Sequence, residues 1–549
     1  MILNRKFFFL SFFLGVIGLI TLWFLVEFLY LNKVILLEVE LIFLNSVNMN
    51  YIIYIDWISL LFRLIVRLIS MLVLVYRNFY MHNECQRFLW LTFLFIVFMI
   101  IIIYSPRILG VILGWDGLGL ISYCLVIYYQ GKDSFTSGFI TAARNRIGDT
   151  MLILSIVVYL MNGKGFIFWE VENIGFIFFF LACLTKRAQV PFRAWLPAAI
   201  AAPTPISSLV HSSTLVTAGV YILIRFNEIL MQSGVHIYLL LISLSTIILA
   251  GLRSFKEFDL KRVIALSTLG QLGFIIIILS IGYRYISFFH LIVHALFKAI
   301  LFICAGAVIH RGGGVQDMRK MGNLELNLIL KVSFSVSVLR LIGVPFTSGF
   351  YSKDYLLELV FMARSGIGLG VLIGVRALIT VCYSVKILLY TRKENFWVIW
   401  LEPEKGILTP IYILSVLNIC GGAILNWLII SDLNLIILEK RMKMFPLAMI
   451  VLGLLWQGVL KLSNNYTLFL SNMMFISVLT KNLSGVIAYF FITIKIDQAL
   501  ENILSLTCNL VVSYSFVLKW VSKEVSYFHV VSLLVIIFLM FCLNSLKRI

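Results

Sequence analysis

The stretch KRAQVPFRAWLPAAIAAPTPISSLVHSSTLVTAGVYILIRF, at residues 186–226, decides the architecture of this chain. Four of the nine prolines fall inside it: Pro191, Pro197, Pro203 and Pro205. Proline removes a backbone donor and clashes with the preceding turn, so a helix must break here. Lys186 opens the stretch and His211 lies near its middle. A broken helix at membrane depth with charge beside it is typical of an ion or solute pathway.

Composition places this stretch in a membrane. The chain has 549 residues and 62% of them are hydrophobic, a larger share than soluble domains have. Apolar runs of about 20 residues, each long enough to cross a bilayer, recur throughout, so we predict an all-α polytopic protein of about 15–16 transmembrane helices. The candidate spans are 7–30, 51–76, 88–104, 108–129, 137–161, 174–194, 204–226, 236–253, 262–282, 285–309, 328–348, 366–391, 408–430, 444–462 and 527–546.

The net charge of +19 also fits a membrane protein. Basic residues lie mostly at the ends of apolar runs, as in Lys261-Arg262 and Lys547-Arg548, which is the pattern that membrane orientation and lipid headgroups produce. We therefore expect no nucleic acid partner. The eight cysteines are far apart and form no CxxC or Cys/His cluster, so we predict no metal site.

The C-terminal region has a different pattern. Residues 464–526 mix apolar stretches with spaced charges, and IKIDQALENILSLTCNLVVSYSFVLKWVSKEV within them has no proline or glycine. This favours one amphipathic helix lying along the membrane surface, before a terminal anchor helix at 527–549. One or two further spanning helices joined by loops are the alternative.

Charged groups inside apolar runs are costly and are therefore the first candidates for function. Asp116 stands in GWDGLGLISYCL, where glycines on both sides let backbone or water approach it. The alternative is a carboxyl that caps a helix end. Arg146 and Asp149 are three residues apart and can pair on one helix face, either within a site or as a structural ion pair.

Lys186 and His211 accompany the proline-rich break. A lysine held out of water can exchange a proton when the charges around it change, although a lysine that reaches the membrane interface is the alternative. His211 is suited to a proton relay and lies in the hydroxyl-rich segment HSSTLV. A lone histidine is, however, more often structural.

The segment FFHLIVHALFKAILF holds the most informative pattern. His290, His294 and Lys298 are spaced i, i+4, i+8, so on a helix they form one stripe about 12 Å long. Packing alone does not explain three titratable groups on one face of an apolar helix. The stripe predicts a chain of proton donors and acceptors.

A second break follows in LRLIGVPFTSGFYSKD, which contains Pro345 and ends in Lys353 and Asp354. Lys386 lies in a later apolar run, ITVCYSVKILLY. Two interrupted helices with charge nearby point to an inverted structural repeat with two half-pathways.

Seven segments together resemble one family. They are GWDGLGLISYCLVIYYQ, NRIGD, KRAQVPFRAWLPAA, PTPISSLVHSSTLVTAGVYILIRF, HALFKAILF, CAG and GFYSKD. Their order and spacing over roughly residues 50–400 resemble the chain 5 family of mitochondrial NADH:ubiquinone oxidoreductase (respiratory complex I), in an arthropod-like form. The resemblance implies an antiporter-like membrane subunit with two inverted repeats of five helices.

The implied organisation has six parts: N-terminal helices at 1–107, a first repeat at 108–253, a second repeat at 254–400, additional helices at 401–463, the lateral helix at 464–526 and the anchor at 527–549. The implied proton pathway comprises Asp116 (in the place of a family glutamate), Lys186, His211, His290, His294, Lys298 and, in the second broken helix, Lys386. Arg146, Asp149, Lys353 and Asp354 would be supporting ion pairs, and the helix breaks would be at Pro197, Pro203, Pro205 and Pro345. Arg376 has no place in this pattern.

The resemblance also implies the activity. The chain would be a proton-translocating core subunit of the complex I membrane arm, in the inner mitochondrial membrane, driven by NADH-to-ubiquinone electron transfer. NADH, flavin, iron–sulfur clusters and ubiquinone would be bound by other subunits, with no cofactor in this chain. Expected partners are membrane-arm subunits, neighbouring antiporter-like subunits among them, and phospholipids such as cardiolipin. Two alternatives stay open: a subunit of a multisubunit sodium/proton antiporter, and a non-conducting architectural subunit of the arm.

Overall fold

A computed structural model of the chain describes residues 2–44, 47–81, 85–161, 173–321, 328–362, 366–392, 405–429 and 438–456. Within these ranges the regular structure is helical apart from one two-stranded hairpin, which confirms the predicted all-α class. Ten helices in the described part are long and apolar enough to cross a membrane. The fold is therefore that of a polytopic membrane protein.

The N-terminal part consists of two helices joined by the hairpin. These elements are α1 (Ile2–Leu31), β1 (Ile35–Leu44), β2 (Val47–Ile55) and α2 (Trp57–Tyr80). The strands pair in antiparallel register. The predicted span 51–76 is therefore wrong at its start, because its first residues extend a strand and the helix begins only at Trp57.

A capping box fixes the start of α2. The Ser59 N–H donates to the Asp56 carboxylate at 2.9 Å, and the Asp56 N–H donates to Ser59 Oγ at 3.0 Å. These two bonds satisfy backbone donors that the first turn of a helix leaves free. The chain therefore turns from strand to helix at Asp56.

The remaining helices fall into two groups. The first comprises α3 (Cys85–Tyr104), α4 (Ile108–Val126), α5 (Lys132–Met161), α6 (Asn173–Lys186), α7 (Trp195–Ala198), α8 (Thr204–Ile206), α9 (Leu215–Arg225) and α10 (Asn227–Gln232). The second comprises α11 (His236–Lys256), α12 (Leu260–Ile281), α13 (Arg284–Arg311), α14 (Leu328–Ile342), α15 (Ser348–Met362), α16 (Gly366–Arg392), α17 (Lys405–Ile429) and α18 (Lys440–Trp456). The most apolar part of α13 is 100% buried, so this helix lies at the centre of the described bundle.

The first break follows α6. Residues 187–203 form turns around the short α7 before α8 begins. Pro197 lies within α7, and Pro203 is extended with ψ 151°. Pro205 lies in the first turn of α8, where its missing N–H has no helical partner to lose. Its prediction as a helix breaker is wrong, because at this position proline starts a helix.

The helix that follows the first break is itself irregular. Between α8 and α9 the backbone forms a π-helical segment, Ser207–Thr214, which contains His211. Such segments are rare and are frequent at functional sites.

The second break separates α14 from α15. Gly343 closes α14 with φ +90°, a conformation that favours glycine, and Pro345 lies between the two helices. The predicted span 328–348 is therefore too long, and α15 is a second half-helix that the sequence did not predict as a separate element. The helix within the predicted span 174–194 likewise ends earlier than predicted, at Lys186.

The two broken helices hold the fourth place in two runs of five. The first run is α3, α4, α5, the broken α6–α7 and α8–α9, and the second is α11, α12, α13, the broken α14–α15 and α16. In both runs each helix packs against the next, and the first helix packs against the fifth. This pattern favours repeats at 85–225 and 236–392 over the predicted 108–253 and 254–400.

The C-terminal predictions cannot be placed on this fold. The lateral helix at 464–526 and the anchor at 527–549 lie outside the described residues. The predicted span 444–462 corresponds to α18 as far as Trp456.

Candidate functional site

Lys186 forms the centre of a buried cluster at the first break. Its side chain is 0% exposed, and Nζ donates to the Trp115 carbonyl at 2.6 Å. Nζ also lies 3.9 Å from the centroid of the Trp115 ring. The carboxylates of Asp149 and Asp116 act on it through space. The ammonium is thus held by a carbonyl, an aromatic face and two negative groups, all of which favour positive charge.

Asp116 and Asp149 lie together on one side of Lys186. Asp116 and Lys186 both act on the Asp149 carboxylate through space, and neither Asp116 Oδ1 nor Asp149 Oδ1 has a hydrogen-bond partner among the described residues. Arg146 Nη1 pairs with Asp149 Oδ2 at 3.4 Å, and its own side chain is 59% exposed. Asp116, Asp149 and Lys186 therefore form one cluster, which Arg146 connects to the helix surface.

Trp195 stands between the end of α6 and His211. Its Nε1–H donates to the Thr185 carbonyl at 3.2 Å, and its ring centroid lies 6.0 Å from that of His211. His211 is buried in the π-helical segment, which packs against α12 and α13. His211 therefore lies on the side of the first half that faces the second.

The α13 stripe is buried along its whole length. His290 Nδ1 lies 2.9 Å from Ser352 Oγ on α15, and Lys298 Nζ donates to Ser267 Oγ on α12 at 2.6 Å. His294 lies between them, and neither of its ring nitrogens has a partner among the described residues. The stripe connects two neighbouring helices through hydroxyl groups, and none of its members faces outward.

The lysine at the second break is Lys353. Its Nζ donates to the Ile342 carbonyl at 3.0 Å and to Thr380 Oγ1 at 2.9 Å. The carboxylate of Asp354 acts on it through space. Lys353 directly follows Ser352, the partner of His290, so the second break adjoins one end of the α13 stripe.

The structure corrects the placement of Lys386. The family pattern was expected to put it in the second broken helix, but it lies on α16, which is continuous. Its Nζ donates to the Phe255 and Glu257 carbonyls, each at 2.8 Å, at the end of α11. Lys386 therefore lies at the rim of the second half. The lysine at the second break is Lys353.

Several members of the site were not predicted. They are Trp195, Ser267, Ser352, Thr380 and Arg376. Ser267, Ser352 and Thr380 belong to helices far along the chain from the lysine or histidine they adjoin, and a buried serine or threonine has no distinguishing sequence pattern. Arg376 carries such a signal, since it is a charge inside an apolar run, and it lies fully buried in the second half.

Comparison with known proteins identifies the family. The family model described as NADH:quinone oxidoreductase/Mrp antiporter, TM matches residues 105–380. NADH-ubiquinone oxidoreductase chain 5 of Anopheles gambiae is 44% identical over 443 residues, which are 78% of this chain and 76% of the mosquito protein. The chain belongs to the NADH-ubiquinone oxidoreductase chain 5 family. The resemblance predicted from seven sequence segments is thereby confirmed.

Other chain 5 proteins match over similar lengths. That of Anopheles arabiensis is 49% identical over 349 residues, 61% of this chain and 91% of the relative. That of Lumbricus terrestris is 37% identical over 448 residues, 79% of this chain and 78% of the relative. The likeness therefore extends well beyond mosquitoes.

The chain 5 fold also resembles that of a solved structure with a different name. A chain in the structure of the Mrp complex from Dietzia sp. matches with a TM-score of 0.74 at 22% identity, covering 94% of this chain and 59% of that chain. At this identity the likeness shows a shared fold. In the described part of this chain 5 protein, no group of three or more side chains could hold a metal ion.

Proposed function

We propose that this chain carries protons across the inner mitochondrial membrane as a subunit of NADH:ubiquinone oxidoreductase. NADH-to-ubiquinone electron transfer in other subunits drives the transport. The single observation that carries the proposal is the buried stripe of His290, His294 and Lys298, with Ser352 at one end and Ser267 at the other.

The burial of this stripe supports a conducting role over a packing role. Titratable groups are expensive within a membrane unless they pair or line a polar pathway. The three side chains of the stripe are at most 1% exposed, and two of them, His290 and Lys298, contact hydroxyls on two different helices. A hydroxyl both donates and accepts, so it can pass a proton between neighbours.

In the first half, Asp149 and Asp116 stabilise the Lys186 ammonium. When the carboxyl pair takes up a proton or moves away, that stabilisation is lost. Lys186 then gives its proton to an acceptor on the His211 side and becomes neutral. A proton from the carboxyl side restores the ammonium.

In the second half, the proton passes along α13. It enters at Lys298, moves to His294 and then to His290, and reaches Lys353 through the Ser352 hydroxyl. Lys386 at the rim is the exit-side group. Each transfer moves one proton from a protonated donor to a neutral acceptor, so at most one member of the stripe gains charge at a time.

The surroundings of the chain complete the proposal. Membership in the family supports membrane-arm partners, and we extend this to neighbouring antiporter-like subunits and to phospholipids such as cardiolipin. Large apolar side chains cover the outer face of α1, for example Phe9, Phe12 and Trp23, as contact with lipid or another subunit requires. NADH, flavin, iron–sulfur clusters and ubiquinone would be held by other subunits.

Two other functions fit parts of the structure. The shared fold with a chain of the Mrp complex keeps sodium/proton exchange as an alternative. An architectural subunit that moves no ion is the second. The architectural role gives no reason for three titratable groups in one buried stripe, whereas proton transport does. A sodium/proton exchanger also moves protons, so dependence on sodium is what separates it from the proposed function.

The experiment is to place Lys298→Ala in the assembled enzyme, reconstituted in vesicles, and to measure protons moved per NADH oxidised with and without sodium. Lys331→Ala is the matched control, since Lys331 is an exposed lysine on α14 of the same half. We expect the ratio to fall in Lys298→Ala, to stay normal in Lys331→Ala, and to be independent of sodium. An unchanged ratio in Lys298→Ala would favour the architectural role, and a ratio that requires sodium would favour the exchanger.

A further inference from the structure

Arg376 is a buried charge that the proposed pathway does not use. Its guanidinium lies between α11 and α12 and is 0% exposed. A Cβ added to Gly270 would lie 1.6 Å from a guanidinium nitrogen, and one added to Gly251 would lie 2.2 Å from another. Two glycines on two helices therefore leave the space that this group fills. The Arg376 side chain therefore occupies a defined space inside the helix bundle.

The immediate surroundings of Arg376 are polar but not acidic. The centroid of the Tyr383 ring is 5.7 Å from the central carbon of the guanidinium, and none of the three guanidinium nitrogens has a hydrogen-bond partner among the described residues. Ser267, one helical turn before Gly270 on α12, accepts from Lys298 Nζ at 2.6 Å. In the described part of the chain, no carboxylate pairs with Arg376. Thr380, one turn after Arg376 on α16, accepts from Lys353 Nζ at 2.9 Å, so Arg376 lies one helical turn from the hydroxyls that hold both lysines.

The charges that face Arg376 are cations. Lys298 on α13 and Lys353 on α15 both lie within reach of its field. Asp354 acts on Lys353, but Lys298 has no carboxylate that offsets the arginine among the described residues. Like charges in a medium of low dielectric repel strongly, so a proton on either lysine is opposed by Arg376.

The first half has the opposite arrangement. There Lys186 faces two carboxylates, Asp149 and Asp116, which favour its charged form. A buried cation without a carboxylate partner is costly, so its presence in a built space calls for a reason other than stability.

We propose that Arg376 is a positioning residue for proton transfer in the second half. Its fixed positive charge prevents Lys298 and Lys353 from holding a proton at the same time. A proton on Lys298 is therefore pushed along the stripe, and Lys353 accepts it only after releasing the previous one. This inference rests on the proposed function, because it assigns a role within the same pathway.

The test compares Arg376→Met with Arg376→Lys in the assembled, reconstituted enzyme. The methionine removes the charge and the lysine retains it, while both leave a long side chain in place. We expect normal assembly in both, protons moved per NADH oxidised reduced in Arg376→Met, and a ratio close to that of the wild type in Arg376→Lys. Equal ratios in the methionine variant and the wild type would overturn the inference.

A neutral variant that fails to assemble is replaced by the double variant Gly270→Ala/Arg376→Met, in which the alanine methyl fills part of the vacated space. Failure of both neutral variants to assemble while Arg376→Lys assembles would assign the charge to folding and overturn the inference. Adding Arg376→Met to Lys298→Ala separates the two proposals, since a pathway already interrupted at Lys298 should show no further loss. If Lys298→Ala pumps normally, the proposed function fails. If only Arg376→Met pumps normally, the proposed function stands and this inference fails.

Discussion

At the scale of single residues, what surrounds each buried lysine defines its role more than the lysine itself does. Lys186 is held by a carbonyl, an aromatic ring and two carboxylates, whereas Lys298 is held by one hydroxyl and faces an arginine. The sequence could mark both lysines as charges in apolar runs. It could not assign their neighbours, because these come from other helices.

The cluster around Lys186 predicts a difference between Asp149 and Arg146. Asp149→Asn removes one of two negative groups beside the lysine, so we expect fewer protons moved per NADH oxidised. Arg146→Gln removes a partner whose side chain is 59% exposed, and such pairs contribute only about 0–1 kcal/mol. Its pumping ratio and the yield of assembled complex should be close to normal. The reverse order of effects would contradict the cluster as described.

The ion pair at the start of α2 predicts a pH-independent contribution to stability near neutrality. Arg225 donates two bonds to the Asp56 carboxylate, at 2.5 and 2.6 Å. Burial by itself raises the pKa of Asp56, but the charge and hydrogen bonds of Arg225 outweigh it and leave this pKa below its ordinary value. The pair therefore stabilises the fold above the unfolded-state pKa of about 3.9, and this stabilisation is lost as pH falls through the lower folded-state value.

Asp56→Asn tests this pair, since asparagine still caps α2 but leaves the Arg225 charge unpaired. We expect a cost of about 3–5 kcal/mol. The measurement is the temperature at which the subunit leaves the solubilised complex, compared between wild type and variant. The difference should be the same at pH 8 and at pH 5. A difference that shrinks between these values would show that Asp56 titrates much higher than its contacts indicate.

At the scale of elements, the sequence predicts where the helices lie, but it predicts only some of the points at which they are interrupted. Apolar length marks a span because a bilayer needs about 20 residues of helix, and this holds for α12 and α13. Proline marks a break only by its place in a turn, so Pro205 was misread and Pro345 was not. The hairpin differs from the prediction because its residues, Tyr51–Ile55 among them, are apolar enough to indicate the start of a span.

The second break depends on one glycine. Gly343 has φ +90°, and a Cβ there would lie 3.5 Å from Lys353 Cδ, an ordinary contact. Gly343→Ala should therefore cost about 1–2 kcal/mol through backbone conformation and not through a clash. Gly368→Ala is the control: no atom lies within 4 Å of its added Cβ, and alanine is favoured within a helix. Thermal release from the complex should occur earlier for Gly343→Ala and not for Gly368→Ala.

At the scale of the whole molecule, two similar runs of helices differ in the charges around their buried lysines: carboxylates lie beside Lys186 in the first run, and Arg376 lies beside Lys298 in the second. Both place a lysine at or beside a broken fourth helix, Lys186 in one and Lys353 in the other. The motifs predicted the family, and they also mark most of the residues of the proposed pathway. They could not predict that Lys353, and not Lys386, occupies the second break, because both are lysines near polar joints and only the packing of α14, α15 and α16 separates them.

If the two halves form one file of proton carriers, interrupting either half should have the same effect as interrupting both. The measurement is the number of protons moved per NADH oxidised by reconstituted enzyme carrying Lys186→Ala, Lys298→Ala or both. A single file predicts the same reduced ratio in all three, namely the share carried by the other subunits. Normal ratios in both single variants, or a double variant whose loss is the sum of the two single losses, would contradict it.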